Sequence, residues 1–307
     1  VAESRLLRSD LIAPLFVAEG LTAPRPIESL PGHHQHTVES LVAEAAALLD
    51  VGVSAVVLFG LPGVKDAVGS GASDPEGIVQ VALRRLRVEF GESIVLLPDL
   101  CPDEYTDPGH CGLLAPDGSV DNDATLERYQ AAAVAQADAG ADLVAPSGMM
   151  DGQVGAIRAA LDAAEHQDVG ILAYSAKYAS ALYGPFREAV DVEIIGGGDR
   201  QGYQQDPANR RESLREVALD IAEGADIVMV KPAVTYLDVI ADVAAFVDVP
   251  VAAYHVSGEY SMIKAAAANG WLDGDAVALE QLTAVKRAGA DMILTYFARE
   301  IAPRLDG

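Results

Sequence analysis

Lysine is the residue this chain most conspicuously does without. Only five are present, Lys65, Lys177, Lys231, Lys264 and Lys286, and every other basic side chain is arginine. Lys and Arg together number 21 against 46 Asp and Glu, a formal net charge of −25. That deficit argues against nucleic acid and anionic membrane surfaces as partners, because both are bound by dense positive charge. Cysteine is nearly absent too. Cys101 and Cys111 are the only two, in one short segment, which excludes a disulfide framework. No apolar run approaches the roughly 20 residues of a membrane span. The opening V-A-E-S-R-L-L-R-S-D lacks the apolar core of a signal peptide, so a cytoplasmic location is expected.

What is present is a sizeable core-forming fraction, 50% hydrophobic in 307 residues. Strand-like runs recur at Leu11–Val17, Ala55–Phe59, Ile94–Asp99, Leu143–Pro146, Ile171–Ser175, Ile227–Val230, Val251–His255 and Met292–Tyr296. Most are separated by alanine-rich helical stretches, such as those near Val38–Asp50, Gly77–Phe90 and Thr125–Ala139. Several strands are introduced by Gly-Ala-Asp, ending in Asp142, Asp226 and Asp291, with the glycine as helix C-cap. Eight such units predict an α/β fold, a (β/α)8 TIM barrel. A doubly wound sheet is the alternative, but no G-x-G-x-x-G follows the first strand, and Gly196-Gly197-Gly198 does not fit that spacing. No linker divides the chain, so residues 1–307 read as one catalytic domain.

Two of the five lysines end apolar runs, Lys177 in G-I-L-A-Y-S-A-K and Lys231 in D-I-V-M-V-K-P. A lysine at a strand end commonly snorkels to solvent. Two in a chain that otherwise avoids lysine suggest amines required at the site. In a barrel the active site lies at the carboxyl ends of the strands. There, burial and mutual repulsion lower an amine's pKa and make it able to attack a carbonyl. Asp99, Ser147, Ser257 and Tyr296 fall at the same strand ends. The insert from Tyr178 to Arg211 brings Arg187, Arg200 and Gln204, natural clamps for a carboxylate. A keto acid is the implied substrate.

The longer motifs around these residues resemble one family. Ser175–Arg187 (S-A-K-Y-A-S-A-L-Y-G-P-F-R), Met229–Ala233 (M-V-K-P-A), Ala145–Gly152 (A-P-S-G-M-M-D-G), Gly198–Gln204 (G-D-R-Q-G-Y-Q), Val256–Lys264 (V-S-G-E-Y-S-M-I-K) and Thr295–Ala298 (T-Y-F-A) are similar to the motifs of porphobilinogen synthase, the 5-aminolevulinate dehydratase family. The likeness covers nearly the whole chain. It implies a (β/α)8 lyase that condenses two molecules of 5-aminolevulinate into porphobilinogen, in tetrapyrrole and haem biosynthesis. By the same resemblance Lys231 forms the P-site Schiff base and Lys177 the A-site one. Ser257 and Tyr296 hold the P-site carboxylate, and Arg187, Arg200 and Gln204 the A-site carboxylate. Tyr183 and Phe186 belong to a lid, and Asp99, Ser147 and Asp151 assist positioning or proton transfer. The resemblance also implies a homo-oligomer, an octamer, helped by an N-terminal arm. About ten residues (1–10) precede the first strand here.

In the zinc-dependent branch of that family a loop carries C-x-C-x7-C. Here Cys101 and Cys111 hold the outer places and Asp103 the middle one. Two thiolates and a carboxylate can hold zinc, with His110 as a further donor; the alternative is two cysteines without a metal. Glu216 falls where some members bind an allosteric magnesium, or else pairs with Arg210, Arg211 or Arg215. No organic cofactor is expected. His33, His34 and His36 read as a solvated loop, and His255 as a pocket or core residue. A one-lysine aldolase would not explain the paired motifs, and a non-catalytic metal-binding barrel would not need both lysines and the arginines.

The acidic, lysine-poor, alanine-rich composition also reads as halophilic, with dense carboxylates keeping the surface hydrated. Self-repulsion at a net charge of −25 is strongest when ions are scarce. Thermal stability and activity should therefore rise from dilute buffer to molar salt. A melting temperature and activity indifferent to salt would show that the acidity is incidental.

Overall fold

The computed structural model describes residues 1–193 and 200–306; Gly196-Gly197-Gly198 lies outside the described residues. Ten strands form one sheet: β1 (Leu11–Ala18), β2 (Arg25–Pro26), β3 (His34–His36), β4 (Ala55–Leu61), β5 (Val95–Leu100), β6 (Leu143–Pro146), β7 (Gly170–Lys177), β8 (Ile227–Lys231), β9 (Val251–His255) and β10 (Met292–Thr295). β1 and β4 to β10 run parallel in sequence order, and β10 pairs back onto β1 through Leu11↔Ile293 and Ile12↔Leu294. The sheet is therefore a closed eight-stranded barrel, as the repeated strand pattern predicts. Closure leaves no edge among those eight and explains why their burial is nearly continuous, as in β1 and β9.

The helices are α1 (Val38–Asp50), α2 (Ile78–Phe90), α3 (Asn122–Asp138), α4 (Gln153–Ala163), α5 (Gly184–Ala189), α6 (Arg211–Glu223), α7 (Leu237–Phe246), α8 (Ser257–Ala268), α9 (Gly274–Ala288) and α10 (Ala298–Ile301). They cover the barrel with one apolar face each. In α2 the buried set includes Ile78, Val79, Ala82, Leu83 and Leu86, the spacing of one helical stripe. No helix among the described residues is long and apolar enough to cross a membrane.

One expectation is corrected here. His34 to His36 are not a solvated loop. They form β3, which pairs parallel with β1 through Phe16↔Gln35 and Val17↔His36. The neighbouring strand supplies backbone partners that histidine propensity alone does not announce. His36 is buried, and burial lowers its pKa to about 4.

The Gly-Ala-Asp punctuation has a second role besides capping helices. Gly140, Gly224 and Gly289 do take positive φ, +100°, +109° and +117°, which a side chain would resist. The aspartates then reach sideways to the preceding strand. Asp142 accepts from Leu96 N–H, Asp226 from Ile171 N–H and Asp291 from Val251 N–H, each at 2.8 Å. Three carboxylates thus close the amino-terminal rim in the same way. Asp226→Ala should lower the unfolding free energy by about 1 kcal/mol, read as a lower denaturation midpoint. Asp226→Asn, which keeps an acceptor, should lie nearer the wild type. Turnover should not change, because this rim is opposite the lysines.

Candidate active site

Lys177 and Lys231 are the last residues of β7 and β8, and the ladder pairs them directly. Both are buried, 4% and 5% exposed. A strand alternates its faces with period two, so Tyr174 and Lys177 should point opposite ways. The β7–β8 register shifts between Ala173 and Ala176, and such an irregularity re-aims the following side chains. Tyr174 and Lys177 consequently share the barrel interior, the Lys177 amine 5.6 Å from the tyrosine ring. The Lys177 amine donates to the Ser147 carbonyl at 2.5 Å.

Lys231 sits in an aromatic cage. Its amine lies 4.4 Å from the ring centre of Tyr254, 5.0 Å from Tyr174, 5.2 Å from Tyr183 and 5.3 Å from Phe186. Ring faces favour the ammonium form, yet burial and then the neighbouring Lys177 prevail and lower its pKa to about 7. A large share of Lys231 is therefore free amine at neutral pH. Asp99 moves the opposite way. Burial and then Asp103 raise it to about 6, while the two lysines restrain the rise. The Ser147 hydroxyl donates to its carboxylate at 3.1 Å. An amine near 7 beside an acid near 6 suits carbonyl addition with proton transfer.

These groups line a small cavity of about 20 Å³ with Phe59, Tyr183 and Phe186. The Tyr183 hydroxyl donates to the Tyr178 carbonyl at 2.7 Å. Ser257 reaches up to the covering segment, its hydroxyl accepting from Phe186 N–H at 3.1 Å and donating to the Leu182 carbonyl at 3.3 Å. Next to it Gly258 permits a close approach, since a Cβ there would stand 2.5 Å from the Leu182 oxygen. Tyr296 is buried with its hydroxyl 3.3 Å from that of Tyr254. His33 Nε2 lies 3.0 Å from the Tyr296 carbonyl, and its ring meets Tyr296 edge-on at 5.2 Å.

Arg187, Arg200 and Gln204 come together along a cavity of about 430 Å³, and both arginines also border the lysine pocket. Gln204 Nε2 is buried without a hydrogen-bond partner among the described residues. Arg200 is already engaged. It bonds the Gly109 carbonyl at 2.9 Å and forms an ion pair with Asp103 at 2.8 Å. Burial would raise Asp103, but the Arg200 guanidinium holds it well below the usual carboxylate range.

Asp103 also belongs to the one group of metal-type donors that converges among the described residues. The ligand atoms of Cys101, Asp103 and Cys111 lie within 4.8 Å of one another, all three residues buried. A hydrogen bond from Cys101 brings the Cys111 thiol down to about 7, against burial and with help from Arg200. Burial pushes Cys101 well up. Two sulfurs and a carboxylate at this separation fit a divalent ion. His110 meets the Tyr203 hydroxyl at 3.3 Å.

Asp151 lies away from the lysines. It lines an outer cavity of about 700 Å³ with Glu212 and Glu216. Burial and then Asp151 raise the pKa of Glu216. His255 is a core residue, bonded to Gln281 at 3.0 Å and Thr295 at 3.3 Å. Four residues around the lysines escaped the sequence reading, among them Phe59, which closes an apolar strand run. Tyr174 was hidden by the register shift and Tyr254 by lying in an apolar strand run. Glu104, buried against the lysines and pushed well up by burial, Asp103 and Asp99, was hidden in a loop read for its cysteines.

Known proteins of one family resemble the chain along nearly its whole length. The family model described as delta-aminolevulinic acid dehydratase matches residues 1–304. The chain is 60% identical over 307 residues to a delta-aminolevulinic acid dehydratase of Streptomyces coelicolor, covering 99% of this chain and 92% of that one. It is 58% identical over 304 residues to one of Mycobacterium tuberculosis, covering 98% and 92%. Among solved structures, the delta-aminolevulinic acid dehydratase (porphobilinogen synthase) of Toxoplasma gondii, in complex with porphobilinogen, superposes with a TM-score of 0.96. That match has 43% identity and covers 98% of this chain and 86% of that one. With its paired buried lysines on a closed barrel, the chain belongs to the delta-aminolevulinic acid dehydratase family.

Proposed function

We propose that this protein is a porphobilinogen synthase, a lyase that joins two 5-aminolevulinate molecules into porphobilinogen with loss of water. The observation that carries the reading is the in-register pair Lys177↔Lys231, with the Lys231 pKa lowered to about 7. An amine that is neutral at working pH attacks a ketone, and the resulting imine, once protonated to the iminium, is a stronger electrophile than the ketone and acidifies the adjacent carbon. Lys231 serves one substrate and Lys177 the other. Asp99, near 6, exchanges the protons that carbinolamine collapse requires, oriented by Ser147. Ser257 and Tyr296 take the carboxylate of the P-site substrate. Arg187, Arg200 and Gln204 take that of the A-site substrate, the Gln204 Nε2, without a hydrogen-bond partner among the described residues, being available for it. Tyr183 and Phe186 keep water from the imines. Asp151 is proposed as a positioning residue at the outer margin of the site.

Cys101, Asp103 and Cys111 are proposed as zinc ligands; Zn2+ bound there would supply Lewis acidity beside the A-site substrate. The chain's own residues set how well it binds. Asp103 shares its charge with Arg200, so it is a weaker donor than a third thiolate would be. Glu216, among other carboxylates, is proposed as a magnesium ligand with an allosteric or stabilising role. A homo-oligomer, an octamer on the family pattern, completes the reading, with a cytoplasmic location and no organic cofactor.

Treatment with 5-aminolevulinate and borohydride, followed by peptide mass mapping, should place substrate mass on Lys231 and, where the second imine is trapped, on Lys177. Adducts confined to Lys65, Lys264 or Lys286 would refute the assignment. Neutral amine is gained as pH rises through the lowered pKa, so trapping at Lys231 should climb with a midpoint near 7. Lys177→Met removes a like charge and should move that midpoint upward.

Exhaustive chelation should remove activity and zinc should restore it, with metal content followed in parallel. Asp103→Cys should tighten zinc retention, and Cys101→Ala or Cys111→Ala should abolish the zinc response. Full activity in metal-free protein would rule out a catalytic zinc in this loop.

A further inference from the structure

The β8–β9 ladder has its last register pair at Val230↔Ala253. Above it β8 ends at Lys231 and β9 at His255, and Val256 leads directly into α8, whose first residue is Ser257. A single carboxylate joins the segment after β8 to the start of α8. Glu259 Oε1 accepts from Val234 N–H and Oε2 from Val256 N–H, each at 2.6 Å. Glu259 is only 2% exposed. The bond to Val256 is the N3-to-N-cap half of a capping box at the start of α8, Val256 having no side-chain acceptor for the other half. The bond to Val234 is not local. It crosses to the segment that begins three residues earlier with Lys231, and helix capping does not require it.

Short, charge-assisted bonds to backbone N–H groups are among the strongest neutral-pH constraints on a loop. With both oxygens occupied, the carboxylate fixes the separation between Val234 and Val256. Lys231 lies three positions before one anchor and Ser257 one position after the other. We propose that Glu259 is a positioning residue that sets the distance between the imine-forming amine of Lys231 and the carboxylate-binding hydroxyl of Ser257, and so selects keto acids by the spacing of carbonyl and carboxylate. This rests on the roles given above to Lys231 and Ser257. A ketone without a carboxylate needs only the amine and is indifferent to the distance. An acid with one more methylene measures it directly.

The test uses full-length protein and borohydride trapping at Lys231 with three probes: 4-oxopentanoate, 5-oxohexanoate and pentan-2-one. The quantity read is the concentration for half-maximal labelling. Wild type should favour 4-oxopentanoate over both others. In Glu259→Gln, one N–H faces an amide NH2 and the tie loosens. The preference for 4-oxopentanoate over 5-oxohexanoate should then fall about tenfold, the scale of a small misplacement of positioned groups, while pentan-2-one labelling stays as in wild type. Equal weakening with all three probes would mean a merely structural role and would overturn the inference, as would an unchanged preference. Absence of any Lys231 adduct in wild type would instead refute the assigned function. Should the Gln variant fail to fold by circular dichroism, Glu259→Asp, which keeps the charge but shortens the reach, is read against the same outcomes.

Discussion

Holding two amines side by side in a buried mouth is the constraint to which the surrounding structure answers. The Lys231 amine is lowered from 10.5 to about 7 by burial first and the neighbouring lysine second, while the ring faces of Tyr174, Tyr183, Phe186 and Tyr254 around it favour the cation. The acids follow the same logic. Asp99 is drawn down by the lysines yet ends above its ordinary value, because burial and Asp103 act more strongly. Burial would raise Asp103, but Arg200 in contact with it, helped by Glu104, Lys177 and Cys101, holds it down. The mouth works as one coupled set of charges, and each member's state is fixed by its neighbours.

Much of this was legible in the residues. Apolar runs ending in lysine, in a chain with five lysines, located the centre of the site, and the Gly-Ala-Asp repeats located the strands. What stayed hidden shares a cause, namely contacts made across the sheet rather than along the chain. The register shift in β7 brings Tyr174 to the face of Lys177, against strand alternation. The pairing of Asp103 with Arg200 joins a residue assigned to metal with one assigned to substrate. His33 looked like part of a solvated cluster, and it packs under Tyr296 because β3 lies along β1.

The two ends of the barrel divide the labour. At the amino-terminal rim Asp142, Asp226 and Asp291 repeat one hydrogen-bonding device, while at the other rim almost every polar group differs from the next. Repetition suits a rim whose task is closure. Variety suits a rim that must distinguish two substrates bound side by side, and it places charged groups where a core would reject them.

The cavity over the lysines is narrow, about 20 Å³, with room for about one water molecule. A five-carbon keto acid does not fit beside it. On the roles proposed for these residues, substrate would enter through a second, open arrangement in which the segment bonded to Ser257 has lifted. Apparent affinity is then the intrinsic affinity of that open arrangement scaled by its population. Each contact that tightens the cover, including the close approach at Gly258, makes the chemistry drier and the entrance rarer. Ser257 stands at the crossing of these two demands, because the hydroxyl that fastens the cover is the one assigned to the incoming carboxylate. On that assignment an arriving carboxylate would compete for the hydroxyl that bonds Phe186 N–H and the Leu182 carbonyl.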